Sequence, residues 1–271
     1  MLDSHLRGKT ALLTGAGSGI AGAIALALAD EGVSLALADI QSASETAQAA
    51  RQRGVDAHVL EVDVSDCEQA RAMVREAAKA LGVIDLFVSA AAVAEHEPAT
   101  VVSPEAWRRT LATNVEAAVW AGGKVARLML QRGTGSILFV GSTAVLNPLY
   151  REASYRASKA ALKAYAEVLA IELAPAGIRV NMLTPGAVDT PFTRGMSERQ
   201  RETIERAIPL GRQALPAELA PTAVLLLSDA LSPYTTGADV VVSGGLHLRP
   251  LPILSPSEIH ALNTRLAGDE P

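Results

Sequence analysis

The chain is poor in aromatic residues, with two Trp, four Tyr and three Phe among 271 residues. Alanine, leucine and valine must therefore build its core. Hydrophobic residues make up 49% and charged residues 20%, a globular balance that is too apolar for intrinsic disorder. Cysteine is almost absent. The single Cys67 excludes an intrachain disulfide and fits a reducing compartment. Its neighbours Asp66 and Glu68 are the wrong sign to stabilise a thiolate, so it reads as a small buried hydrophobe. Clustered positive charge is missing too. With a net charge of −5 and no run of Lys or Arg, neither a nucleic-acid nor an anionic-membrane surface is expected. Internal repeats and low-complexity stretches are lacking, and no metal site is expected.

One uncharged run, Ala11 to Ala29, is long enough to imitate a membrane span. Glycines 15, 17, 19 and 22 and Ser18 interrupt it, and no signal-peptide cleavage pattern follows. It reads better as a strand, a glycine turn and a helix. A soluble, cytoplasmic protein is expected.

Short apolar runs alternate with helical periodicity over most of the chain. The runs are "TALLTG", "VSLALAD", "DAHVLEVD", "IDLFVSA", "GSILFVGS", "IRVNMLTPG" and "ADVVVSGG". Between them, segments such as "CEQARAMVREAAKAL" carry apolar residues at three- and four-residue spacing. Buried strands alternating with helices predict a single α/β domain, a Rossmann-type doubly wound parallel sheet of about seven strands with helices on both faces. That domain is expected to span 1–247, including a polar lid at 187–212, with a C-terminal extension at 248–271. The extension predicts a short helix, with Ser255 as N-cap, Pro256 at its first position, Glu258 in a capping box and Gly268 at its end. Ile259, Leu262 and Leu266 would form its apolar stripe, so the extension could sit at a subunit interface.

The first strand runs into "TGAGSGIAG", a glycine turn that opens a helix. Such a turn lets backbone approach a pyrophosphate at the positive helix end. Asp39 closes the next strand, where a carboxylate can accept hydrogen bonds from both adenine-ribose hydroxyls. It would repel a 2′-phosphate, and Ser18 and Ile40 supply no compensating charge, so NAD is favoured over NADP. Asp63, at the end of the third strand, is either a cofactor ligand or a turn or N-cap residue; spacing leaves both open.

The segment "SYRASKAALKAY" holds the candidate chemistry. Tyr155 and Lys159 are four residues apart and share a helix face. A free phenol titrates near 10, and a fixed ammonium beside it would bring it down towards use as an acid/base. Tyr165 falls on an apolar repeat with Leu162 and Leu169 and reads as core, and Lys163 as a solvated face residue.

With these motifs in order, the chain resembles the classical short-chain dehydrogenase/reductase family over roughly residues 7–247. The family's TGxxxGxG turn is Thr14–Ala21 and its YxxxK is Tyr155–Lys159. Its serine matches Ser142, thirteen residues before Tyr155, its fourth-helix asparagine matches Asn114, and its strand-six signature is Ile178 to Thr190. The resemblance implies that Tyr155 exchanges a proton with the substrate oxygen as hydride passes to or from nicotinamide. Ser142 would polarise that oxygen. Lys159 would lower the Tyr155 pKa and bind ribose, and Asn114 would hold a water in a proton relay. It further implies cofactor contacts from Gly15, Ser18, Gly19, Ile20, Asp39, Asp63, Val64, Ala90, Tyr155, Lys159, Pro185, Gly186, Val188 and Thr190. A homotetramer is implied as well, with helices around 104–131 and 153–175 at its interfaces.

Three motifs depart from the family pattern. Ala21 replaces the last glycine of the turn, Ser89-Ala90-Ala91-Ala92 replaces Asn-Asn-Ala-Gly, and Ser243-Gly244-Gly245 replaces Asp-Gly-Gly. They bear on stability and cofactor affinity more than on the four chemical residues. Around the expected substrate pocket, Glu95, His96 and Glu152 could hydrogen-bond a polyol, sugar or hydroxy acid. Leu146, Pro148, Leu149, Phe192 and Met196 would tolerate an alicyclic or aryl alcohol. The leading reading is an NAD(H)-dependent enzyme interconverting a secondary alcohol and its ketone, with a small-molecule alcohol or ketone as partner. One alternative is an NADPH-dependent 3-oxoacyl thioester reductase, which would want a basic patch such as Arg108, Arg109, Arg127 and Arg132. Another is a non-catalytic NAD-binding sensor or scaffold.

Overall fold

Seven apolar runs pair side by side as parallel strands: β1 (Thr10–Thr14), β2 (Ser34–Asp39), β3 (Ala57–Glu61), β4 (Leu86–Ser89), β5 (Gly135–Val140), β6 (Ile178–Pro185) and β7 (Asp239–Val242). Their order across the single sheet is β3-β2-β1-β4-β5-β6-β7. This computed structural model describes residues 3–193 and 195–248, with Ser257 and Thr264. The tail helix expected from Ser255 lies, those two positions apart, outside the described residues.

Helices α1 (Gly19–Asp30), α2 (Ser44–Arg51) and α8 (Ala220–Leu227) cover one face. Ile24, Leu28, Ala47, Ala223 and Leu226 pack there on Leu13, Leu35 and Leu37. Helices α3 (Cys67–Leu81), α5 (Ala117–Leu130) and α6 (Ala153–Leu173) cover the other. There Met73, Val74, Val125, Leu162 and Leu169 meet Leu12, Ala36, Phe87, Ile137 and Phe139. Neighbouring strand residues such as Leu12 and Leu13 thus serve opposite faces, as the pleat requires. Two of the three phenylalanines, Phe87 and Phe139, are fully buried; truncating either to Ala would cost about 3–5 kcal/mol. Tyr165 packs edge-on against Phe139 with centroids 5.9 Å apart, so it belongs to the core as expected.

Strand order reverses at β1. The chain runs outward through β2 and β3, then returns to lay β4 on the other side of β1. Such a switch point opens a crevice beyond the carboxyl ends of the strands. The two further helices are α4 (Pro104–Leu111) and α7 (Glu198–Ala207), the latter inside the 187–212 insertion. Ser197 caps α7 in a capping box with Gln200. Between α4 and α5 the chain does not stay α-helical but widens into one π turn at Ala112–Glu116, which contains Asn114.

Lys163 departs from the solvated reading: its Nζ pairs with Asp239 on β7 at 2.8 Å. Cys67 is a free, half-buried thiol at the start of α3. No described helix is long and apolar enough to cross a membrane. Among the described residues no group of three His, Cys, Asp or Glu could hold a metal ion.

Candidate active site

Several chain segments meet at the crevice. The first is the turn after β1. Gly15 adopts φ +72°, and a Cβ there would lie 2.9 Å from the Cα and N of Ala91. Two backbones therefore touch at this point, and only glycine allows both the conformation and the approach. Ser18 takes the N-cap position of α1 in extended conformation without a side-chain capping bond. The first amides of α1 have no intrahelical partner, which is the arrangement that receives an anion. Ile20 packs into the core beneath them. Across the turn, the Thr190 methyl is 3.5 Å from where a Gly19 Cβ would stand.

The second segment supplies Asp39. Its Oδ2 accepts from Gly17 N at 2.8 Å and its Oδ1 from Gln41 N at 2.9 Å. Both carboxylate oxygens are thereby fixed, each with a lone pair to spare for a hydroxyl. Asp63 takes part in a turn through one of its oxygens: Oδ1 accepts from the amide and hydroxyl of Ser65 at 2.9 and 2.7 Å. The N-cap of α3 is Asp66 instead, accepting from Gln69 N at 2.8 Å. Asp63 stays on the same edge as Asp39, because Asp39 pairs in register with Glu61. Val64 beside it is buried.

The altered segment after β4 has its own support. The Thr14 hydroxyl accepts from Ala90 N at 3.2 Å and from Ala91 N at 3.4 Å. A threonine on β1 thus holds the backbone where the family pattern would place amide side chains. Beyond β6, Pro185 leads to Gly186, whose amide donates to Val242 O at 2.9 Å. A Cβ at Gly186 would lie 2.7 Å from the Ser243 Cβ. Val188 is buried and Thr190 nearly so.

The chemical residues converge from three elements. Ser142 follows β5, and its Oγ accepts from Ala144 N at 3.1 Å. Tyr155 and Lys159 lie one turn apart on α6, with the ammonium 5.8 Å from the centre of the phenol ring. Lys159 is 2% exposed, and its Nζ donates to Val140 O at 2.9 Å. Burial brings its pKa down to about 8. Burial pushes the Tyr155 phenol up to about 12, against a Ser142 hydrogen bond that lowers it and with a Glu152 charge that raises it further. The residues alone therefore do not yet give the lowered phenol expected from the Tyr/Lys spacing. Burial is the largest influence on the phenol.

Asn114 is buried in the π turn and holds the loop after β4. Its Nδ2 donates to Val93 O and to Ser158 Oγ, both at 2.9 Å, and its Oδ1 accepts from Val93 N at 2.8 Å. Ser158 in turn donates to Tyr155 O at 2.7 Å. Phe192 lies over Tyr155, with centroids 5.8 Å apart.

A model described as "Enoyl-(Acyl carrier protein) reductase" matches residues 15–247, the stretch that contains Ser142, Tyr155, Lys159 and Asn114. The chain belongs to the classical short-chain dehydrogenase/reductase family. Among curated relatives of this short-chain dehydrogenase/reductase, galactitol 2-dehydrogenase (L-tagatose-forming) of Cereibacter sphaeroides is 37% identical, over 89% of this chain and 96% of that protein. D-threitol dehydrogenase of Mycolicibacterium smegmatis is also 37% identical, over 91% and 96%. Among solved structures, an NAD+-bound xylitol dehydrogenase superposes with a TM-score of 0.81 at 29% identity, covering 89% of this chain and all of that one. A structure assigned as a 2-deoxy-D-gluconate 3-dehydrogenase from Agrobacterium tumefaciens, with NADP bound, reaches 0.84 at 27% identity, over 92% and all of that chain. As a family member the enzyme is an oxidoreductase that uses a nicotinamide cofactor, and its glycine cradle and open helix amides fit the pyrophosphate of one.

Sequence reasoning missed two supports of the site: the Thr14 hydroxyl under Ala90 and Ala91, and Val140 O under Lys159. Their roles are contributed by backbone groups or across the sheet, and no local pattern announces them. A hollow of about 600 Å³ at the opposite edge of the sheet, lined by Thr134, Arg179, Asp229 and Tyr234 among others, brings none of the chemical residues together.

Proposed function

We propose that this enzyme interconverts a secondary alcohol and its ketone with NAD(H). The observation that carries the reading is the Ser142–Tyr155–Lys159 arrangement facing the glycine turn. The cofactor, when bound, takes up or gives back hydride and adds positive charge when oxidised. The protein's own part is the proton. Tyr155 takes it from the carbinol oxygen in oxidation and returns it in reduction. Ser142 hydrogen-bonds the same oxygen and steadies the charge that develops there. Lys159 stabilises the phenoxide, and the proton leaves from Lys159 through a water that Asn114 would hold. Pro185, Gly186, Val188 and Thr190 hold the nicotinamide half, and Asp39, Asp63, Val64 and Ala90 the adenosine half.

Asp39 supports NAD over NADP. A 2′-phosphate would meet a carboxylate whose two oxygens are already fixed by Gly17 and Gln41 amides. Both the galactitol and the threitol relatives support a polyol or related alcohol as substrate. The 3-oxoacyl thioester reductase is the second reading, favoured by relatives that are 3-oxoacyl-[acyl-carrier-protein] reductases. Its basic patch is weakened, because Arg109 pairs with Glu95 and Arg132 with Asp85, each at 2.5 Å. A homotetramer is supported by exposed Val168 and Ile171 on the outer face of α6, and mass measurement in solution checks it.

The deciding experiment measures NADH and NADPH binding, then turnover of secondary alcohols by wild type and Tyr155→Phe. Preference for NADH, with turnover in wild type and at least a thousandfold loss in the variant at unchanged NADH affinity, bears out the reading. NADPH preference moves the thioester reductase to first place. Binding without any turnover favours a sensor.

A further inference from the structure

The polar side chains at the substrate end of the cleft are not equivalent. Glu95 is neutralised by Arg109 at 2.5 Å. The carbonyl of His96 is held by Arg151, through Nε at 3.0 Å and Nη2 at 2.6 Å. Glu152 is different: its Oε2 is shielded from solvent and has no hydrogen-bond partner. The bland role for a residue in its position is to cap the helix, and its side chain makes no capping bond to α6.

The backbone places it there against resistance. Arg151, directly before it, has φ +67°, a conformation that residues other than glycine avoid. That geometry is held from both sides, by the Arg151 bonds to His96 O and by a parallel bridge between Glu97 and Glu152. Tyr155 and Lys159 lie one turn apart on α6, and Glu152 is the N-cap residue three positions before Tyr155. Lys159 lies deepest, tied to the end of β5. Tyr155 comes next, and Glu152 is near enough for its charge to act on the phenol. A carboxyl oxygen shut away without a donor is unfavourable, and such groups are rare unless something outside the chain completes them. Burial holds the Glu152 carboxyl above its ordinary pKa, with His96 opposing, as befits a group waiting for a donor.

We propose that Glu152 is the specificity residue that accepts a hydrogen bond from a second hydroxyl, on the carbon next to the reacting carbinol. The substrate is then an uncharged vicinal polyol, and the product is an α-hydroxyketone in which the second hydroxyl is untouched. This rests on the dehydrogenase reading above. A monoalcohol would leave Oε2 unsatisfied. A carboxylate on the substrate would bring like charge against it, and an ammonium would add a second cation to a site that already buries Lys159.

The test uses matched pairs differing by one hydroxyl: butane-2,3-diol against butan-2-ol, and cyclohexane-1,2-diol against cyclohexanol. Rates of NADH or NADPH formation are compared for wild type, Glu152→Gln and Glu152→Leu, and cofactor binding is followed separately by fluorescence. Wild type should favour the diols in kcat/KM by about tenfold to a hundredfold, the effect of leaving one buried acceptor unpaired. Glu152→Leu should erase that preference by losing rate on the diols alone, and Glu152→Gln, which keeps an acceptor, should retain part of it. Equal rates on diol and monoalcohol in wild type overturn the inference while leaving the dehydrogenase standing. So does a parallel loss on both substrates with weakened NADH binding, which marks a structural role. Turnover of no alcohol with either cofactor overturns the dehydrogenase reading, and the inference with it.

Discussion

Replacing Lys159 by Met should make the folded protein more stable and the enzyme inactive. The ammonium is 2% exposed, and burial lowers its pKa from 10.5 to about 8. A lysine depressed in this way destabilises the fold wherever the unfolded chain would be protonated more readily. The penalty is fully present below about pH 8 and fades as pH rises towards 10.5. Linkage gives about 3 kcal/mol at pH 7 and about 1.5 kcal/mol at pH 9.5. Methionine has similar length and no charge, so it removes that penalty. It also leaves Val140 O without the Nζ donor, a loss of about 1 kcal/mol. The net expectation is a gain of about 2 kcal/mol at pH 7, which falls close to zero at pH 9.5. For a chain of this size that is a rise in melting temperature of roughly 4–8 °C at the lower pH. Thermal denaturation of both proteins at the two pH values, with turnover measured alongside, reads it directly. A variant less stable than wild type at pH 7, or a stability gap that does not narrow with pH, would refute the reasoning. It would mean that the buried ammonium is compensated by the fold.

Two other perturbations test the geometry. Gly15→Ala combines a left-handed φ of +72° with a 2.9 Å approach to Ala91 backbone. It should lower stability by about 3 kcal/mol, seen in chemical denaturation, and weaken cofactor binding in the same protein. Asp229→Ala removes the carboxylate that meets Nε and Nη2 of the buried Arg179 at 3.1 and 2.9 Å. Because Asp229 itself is half-exposed, a loss of about 2 kcal/mol in urea unfolding is expected, without change in kcat for a site on the other edge of the sheet.

The strands were legible because buried parallel strands read as short apolar runs, and all seven expected segments are strands. Tyr155 and Lys159 were legible because helix periodicity alone puts them on one face. What could not be read depends on partners far along the chain. Lys163 looks solvated until β7 brings Asp239 to it across 76 residues. Glu95, His96 and Glu152 are indistinguishable as polar loop residues; only the fold gives Arg109 to the first and leaves the third with an unpartnered oxygen. The phenol's high pKa was equally hidden, since spacing reports the ammonium and not the burial around the phenol.

The π turn at Ala112–Glu116 sets the rotational phase of α5. A helix advances about 100° per residue, so one residue of slack decides which side of α5 faces the sheet. Ala117, Ala118, Ala121 and Val125 meet the core in the present phase. Deleting a single residue from the turn would regularise the helix and rotate that stripe away, while withdrawing Asn114 from Val93 and Ser158. The alignment of α5 with the sheet and the alignment of Asn114 with the cleft are therefore one setting. Substitution can vary either partner of these contacts, but a change of length here would disturb both together.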